Sequence, residues 1–260
     1  MKSLYNVFIT ECTKLRRSRV PMLTFTFFVF IPLMMGLLMF LAQHPDTASK
    51  LGLIGTKASL FDENNWNAYF MLLNQIIAII GIIGFGFITS WVFGREYMDH
   101  TIKDLLALPA SRALIVVSKF IIIILWSILL CMVLFFSGLL IGYIINLPGW
   151  SAQIFNENIF RFFISSVFTM LLCTPVAFIA GYGRGIVAPI AFVIVMLILS
   201  QFVAMVGWGP YFPWSIPGIY TVAEGTKGMH LVPASYIIIA VTFFVGFLGT
   251  IAWWQRADQH

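Results

Sequence analysis

The sequence predicts an all-α integral membrane protein with six spanning helices, and three observations carry that prediction. Only 10% of the 260 residues are charged, 60% are hydrophobic, and the mean hydropathy is +0.97. A soluble domain carries about 25% charged residues and has too little interior to hide this much apolar surface. The 15 basic and 10 acidic residues leave six long charge-free stretches, at 20–45, 64–94, 120–156, 162–183, 185–223 and 228–255, together 183 residues. Each is long enough for the ~20 apolar residues that cross a bilayer as a helix. The basic residues are also lopsided across those stretches. Together these features exclude a soluble enzyme, a nucleic-acid reader and a secreted disulfide domain.

Residues 1–19 form the first element. Leu4, Val7, Phe8, Glu11 and Leu15 share a mostly apolar helical face, and Lys14, Arg16, Arg17 and Arg19 cluster behind it. That pattern predicts a helix lying along the membrane surface, its basic cluster facing anionic lipid headgroups. Spans are expected at roughly 21–42, 68–93, 115–146, 160–180, 186–206 and 233–254. The first is not expected to be a signal peptide: its apolar run is too long and follows a polar start. Eleven basic residues fall on the side of the N-terminus, in 1–19, 94–119, 181–185 and the tail, and four on the other side. The acids divide evenly, five and five. The excess of Lys and Arg puts both termini in the cytoplasm of a multi-pass plasma-membrane protein.

Between the second and third spans, residues 95–112 return to the cytoplasmic side. Met98, Ile102, Leu105 and Leu106 recur at helical spacing, and Pro109 stops the run. A short amphipathic helix over 96–108 follows. Its acids Glu96, Asp99 and Asp104 outnumber its bases, so a protein groove suits it better than lipid. Residues 207–232 hold three prolines and three glycines within 207–220, which forbid a continuous spanning helix. Re-entrant pieces and an ordinary aromatic-rich outer loop both fit. Gly181-Tyr-Gly-Arg-Gly185 reads as a tight turn between spans. No internal repeat or low-complexity segment is visible, and the chain reads as a single permease-like domain over 1–260.

Catalytic chemistry is sparse. The four histidines have no ligand spacing, so no metal site is expected. Cys12, Cys131 and Cys173 read as small apolar fillers. No phosphate loop is present, so the chain is not expected to hydrolyse ATP by itself. Asn74 and Gln75 in the second span fit either an interhelical hydrogen bond or part of a pathway or dimer seam. Gly138-x-x-x-Gly142 in the third span is a motif for close helix approach.

The chain resembles the ABC-2 type permeases, the transmembrane subunits of ATP-binding-cassette exporters with the type V exporter fold. Arg95-Glu96, Thr101, Leu105-Leu106, Pro109 and Ser111-Arg112 carry the resemblance, with a looser match at Glu11-Cys-Thr-Lys14-Leu-Arg16-Arg-Ser18. It implies that 96–108 is a coupling helix, with Glu96, Met98, Thr101, Ile102, Leu105, Leu106, Pro109 and Arg112 meeting a separate ATPase subunit. Glu96 is expected to anchor that helix through its N-terminal amides. The resemblance also implies a second permease copy or homologous permease as partner. No cofactor is expected on this chain, with ATP and Mg bound by the partner subunit. Small permeases of this kind include bacitracin-resistance and lantibiotic-immunity transporters. The expected function is export of an amphipathic peptide or lipid-linked molecule, giving antimicrobial peptide resistance. The alternative is an ion- or proton-coupled secondary transporter, against which stands the lack of acids at the centre of any span.

Overall fold

The computed structural model describes residues 2–44, 64–102, 111–222 and 230–256, with residues 2–4 as backbone only. All regular structure among them is helical. Helix α1 (Lys2–Arg17) is followed by α2 (Val20–Gln43), α3 (Trp66–Met98), α4 (Arg112–Ile144), α5 (Ala152–Leu171), α6 (Thr174–Tyr182), α7 (Val187–Met205), α8 (Ile216–Val222) and α9 (Pro233–Arg256). Six stretches are long and apolar enough to cross a membrane: α2, α3, α4, α5 with α6, α7 and α9. The protein is therefore a multi-pass membrane protein, with its spans where the charge-free stretches lie.

Local chemistry sets the boundaries. Asn65, Ser111 and Ser151 each accept a backbone N–H three residues on, from Ala68, Leu114 and Ile154. These caps satisfy amides that the first helical turn leaves open. Ser151 starts the fourth span at 152, earlier than the expected 160, and the added turns bring Asn158 inside the protein. That span breaks at Leu172–Cys173, where Pro175 cannot supply a helical amide. The Gly181–Gly185 turn forms as expected, with Arg184 in the left-handed region at φ 49°.

Helix α3 is the axis of the bundle. Two thirds (67%) of its most apolar window is buried within the chain, against 28% for α2, 22% for α9 and 17% for α7. The three outer helices therefore present most of their apolar surface to lipid or another protein. Small residues let neighbours approach α3 closely: a Cβ on Gly84 or Gly86 would overlap Phe28 of α2 or Val193 of α7. Helix α1 rests on the start of α4. The expected α1 face is buried at Val7, Glu11 and Leu15, but the protein's own spans cover it.

At the end remote from α1, residues 209–222 are no solvent loop. Two 3-10 turns, Gly209–Tyr211 and Pro213–Ser215, lead into α8, and the segment packs against α3, α5, α7 and α9. Hydroxyls hold it. Ser165 donates to Pro217 O (3.3 Å), Ser215 to Ser200 O (2.9 Å) and Ser235 to Pro210 O (2.7 Å). Proline carbonyls are natural acceptors here, because the broken helix leaves them unpaired.

Candidate functional site: a buried charge network beneath the α3–α4 connection

The last turns of α3 carry Gly94, Arg95 and Glu96, and the first turns of α4 carry Arg112 and Lys119. The two helices pack side by side, with α1 laid against α4. Lys119 is fully buried. Its ammonium donates to Glu96 Oε1 (2.8 Å), Val92 O (2.8 Å) and Glu11 Oε2 (3.2 Å). Lys14 Nζ reaches Glu11 Oε1 at 2.6 Å and Glu96 Oε1 at 3.1 Å. Two carboxylates and two ammoniums thus alternate in a closed, neutral group drawn from α1, α3 and α4. Desolvation of each ion costs several kcal/mol, roughly. Three acceptors around Lys119 offset that penalty, and its neutral form would leave the two buried acids with Lys14 alone. Glu96 Oε2 has no hydrogen bond among the described residues.

Two arginines, Arg95 and Arg112, frame the group. Arg95 stacks over Trp91 at 4.9 Å, pairs with Asp99 at 3.5 Å and donates to Lys14 O at 3.4 Å. Arg112 donates to Trp254 O (3.1 Å) and Gln255 O (3.4 Å), placing a cation at the C-terminal end of α9, where the helix dipole favours it. Gly94 lets the α6–α7 turn touch α3: a Cβ there would stand 2.7 Å from the Gly185 carbonyl. The end of α3 is thereby fixed to α1, α4 and the α6–α7 turn, while Arg112 fixes α4 to α9. What it can do is hold these helices as one body, so that displacement of the chain after Met98 moves them together.

Several sequence expectations change here. Glu96 and Met98 lie on the spanning helix, because α3 runs unbroken through Met98. Glu96 therefore binds lysines, not the amides at the start of a short helix. The chain reverses at Asp99–Thr101. His100 takes the left-handed position (φ 55°), Thr101 N–H donates to Glu96 O and His100 N–H to Tyr97 O. This is the Schellman arrangement, in which glycine is the usual residue. Met98 is exposed and Ile102 buried, so the reversal separates two residues expected on one face. Thr101 is exposed. Leu105, Leu106 and Pro109 lie outside the described residues. Lys14 belongs to the network, not to a lipid-facing cluster, while Arg16, Arg17 and Arg19 are exposed.

The polar and small residues of the spans also find partners within the chain. Asn74 Nδ2 donates to Asn158 Oδ1 at 2.9 Å, an interhelical hydrogen bond. Gly138 and Gly142 receive Leu73 and Trp66 of α3, where a Cβ would come within 2.9 and 2.6 Å of those side chains. The close approach they permit is therefore intramolecular. Gln75 differs. It lines a cavity of about 540 Å³ between α3, α7 and α8, beside Gln201, Ser200, Ser215 and Thr221. Trp214 borders the same space, and its buried indole N–H has no partner among the described residues.

Sequence reasoning missed the pairing of Glu11 with Lys119 across 108 residues. Two signals pointed to it: an acid on the apolar face of α1, and a lysine two turns inside a span.

Two comparisons with known proteins bear on the site. The family model described as "ABC-2 family transporter protein" matches residues 7–201. The bacitracin transport permease protein BCRB of Bacillus licheniformis is 31% identical over 186 residues, covering 71% of this chain and 88% of that protein. The family match contains the whole charge network, Glu11, Lys14, Glu96 and Lys119.

Proposed function

The chain belongs to the ABC-2 transporter family, and on that premise we propose that it is an exporter permease with both termini in the cytoplasm. Membership makes it the membrane subunit of an ABC transporter, a class that works with an ATP-binding subunit. We read the direction as outward, the substrate as an amphipathic peptide or lipid-linked molecule, and the partner as carrying the ATP and Mg. The relative is a bacitracin transport permease, which makes bacitracin the first substrate to try.

The observation that carries the reading is the closed charge group at the α3–α4 connection. A permease driven from outside needs a rigid point where a partner's motion enters the spans. Here four helices and a turn are fixed together at the helix ends that flank residues 103–110 in sequence. The cavity between α3, α7 and α8 supports the substrate class. Its apolar walls, with Gln75, Gln201 and an unpaired indole N–H, offer a few polar points to a molecule that is otherwise apolar. A second permease would complete the path on the exposed faces of the outer helices.

The test is co-expression with a candidate ATP-binding-cassette ATPase subunit. Leu105→Asp and Leu106→Asp are expected to release the ATPase on purification while the permease still inserts. Undiminished co-purification of both variants would sink the docking assignment. Cells carrying the intact pair are expected to survive bacitracin better than cells carrying the ATPase alone.

A further inference from the structure

A second cavity lies elsewhere, between α3, α4, the break of the fourth span and α9, with a volume of about 280 Å³. Its floor is made of small side chains, Ser127, Cys131, Ser166 and Cys173, all buried. Its mouth is made of Ile124, Ile128, Met132 and Val167, between 38% and 50% exposed. These residues belong to α4 and α5 on the surface that the bundle turns outward. The cavity is thus continuous with the membrane surroundings and separate from the Gln75 cavity.

Water is a poor occupant. The Thr89, Ser166 and Thr174 hydroxyls already donate to Phe85 O, Phe162 O, and Leu171 O or Phe243 O. Ser127 Oγ, fully buried, is the cavity hydroxyl without a partner among the described residues. A bound water needs 2–4 polar partners, roughly, and an apolar cavity stays dry. An empty space is unfavourable too, because its walls forgo dispersion contacts in an otherwise close-packed interior. The volume of about 280 Å³ lies just below the ~300–1,000 Å³ range of ligand pockets, which suits a slender group.

We infer that this cavity takes one acyl chain of a membrane phospholipid, entering between α4 and α5 and lying against the break in the fourth span. Leu171, Cys173 and Thr174 flank that break and line the cavity, so the chain fills the space that the bend opens. The site needs only the membrane setting of the protein and stands whether or not the exported molecule is a peptide.

Photolabelling tests it. The permease–ATPase complex is reconstituted with a phosphatidylcholine that carries a diazirine midway along one acyl chain, irradiated, and mapped by mass spectrometry. Adducts are expected on the inner residues Cys131, Ser166 and Met170, besides the general labelling of exposed α7 residues such as Val195 and Ile198. Ser127→Leu, which fills the floor, and Val167→Trp, which blocks the mouth from an exposed position, should each lower the inner adducts at least fivefold and leave α7 labelling unchanged. Adducts confined to the mouth residues would overturn the site, as would inner adducts that persist in both variants. Inner adducts found only after the permeases are dissociated would also overturn it, since another protein would then cover the mouth.

Discussion

The two ends of the bundle are held by different chemistry. Where α3 ends and α4 begins, four charged side chains, three of them buried, form one group that ties α1, α3 and α4. At the far end, the 209–222 segment is held by neutral hydroxyls donating to the carbonyls of Pro210, Pro217 and Ser200. A buried charge group is strong when complete and fails as a unit when one member is lost. Neutral hydroxyl bonds fail singly and by small amounts, with a mean near ~0.6 kcal/mol between membrane helices. The first design suits a place where force must pass without slippage. The second suits a place where short segments must rearrange at low cost.

The largest effect is expected at the charged end. Lys119→Met removes one cation from the group and leaves Glu11 and Glu96 with Lys14 alone. It should destabilise the purified protein by about 3–5 kcal/mol, read by thermal unfolding in detergent. A loss below that of any far-end hydroxyl variant would dissolve the contrast. Gly94→Ala should follow, at about 1–3 kcal/mol, since the new methyl meets backbone of the α6–α7 turn that has nowhere to move. Gly142→Ala, which meets the Trp66 ring instead, should cost less because a side chain can shift. Ser235→Ala should be the mildest, about 0.5–1.5 kcal/mol, with chymotrypsin cleavage after Tyr211, Trp214 or Tyr220 as a local readout. A Ser235→Ala loss equal to that of Lys119→Met would mean that both ends are rigid in the same way.

The same comparison shows what was legible in the sequence. The spans were, because bilayer thickness and charge avoidance act on every residue of a helix and leave a long pattern. So was the need to break the chain at 207–220, because proline and glycine act locally. The family was legible from Arg95-Glu96 to Arg112, and its matching model confirms it. The network was not. Lys119 and Lys14 counted toward orientation, and a charge count carries no information about which acid lies opposite. Glu96 was assigned to a helix start because the reversal at Asp99–Thr101 uses His100 where a glycine would have announced it. The internal fit of Gly138 and Gly142 against α3 was equally hidden, since a small-residue face reads the same whether its partner is in the same chain or another.

The central claim is that the charge group carries motion from the ATPase side into the spans. It is tested most directly by a distance that needs no substrate. Spin labels at Tyr143→Cys and Met205→Cys report on the far ends of α4 and α7, both highly exposed, in a background with Cys12→Ala. In the wild-type complex with its ATPase, a non-hydrolysable ATP analogue is predicted to change their separation. In the neutralised variant Glu11→Gln/Lys14→Met/Glu96→Gln/Lys119→Met, with the ATPase still bound, the separation is predicted to stay at its nucleotide-free value. The same nucleotide-driven change in both proteins would contradict the account.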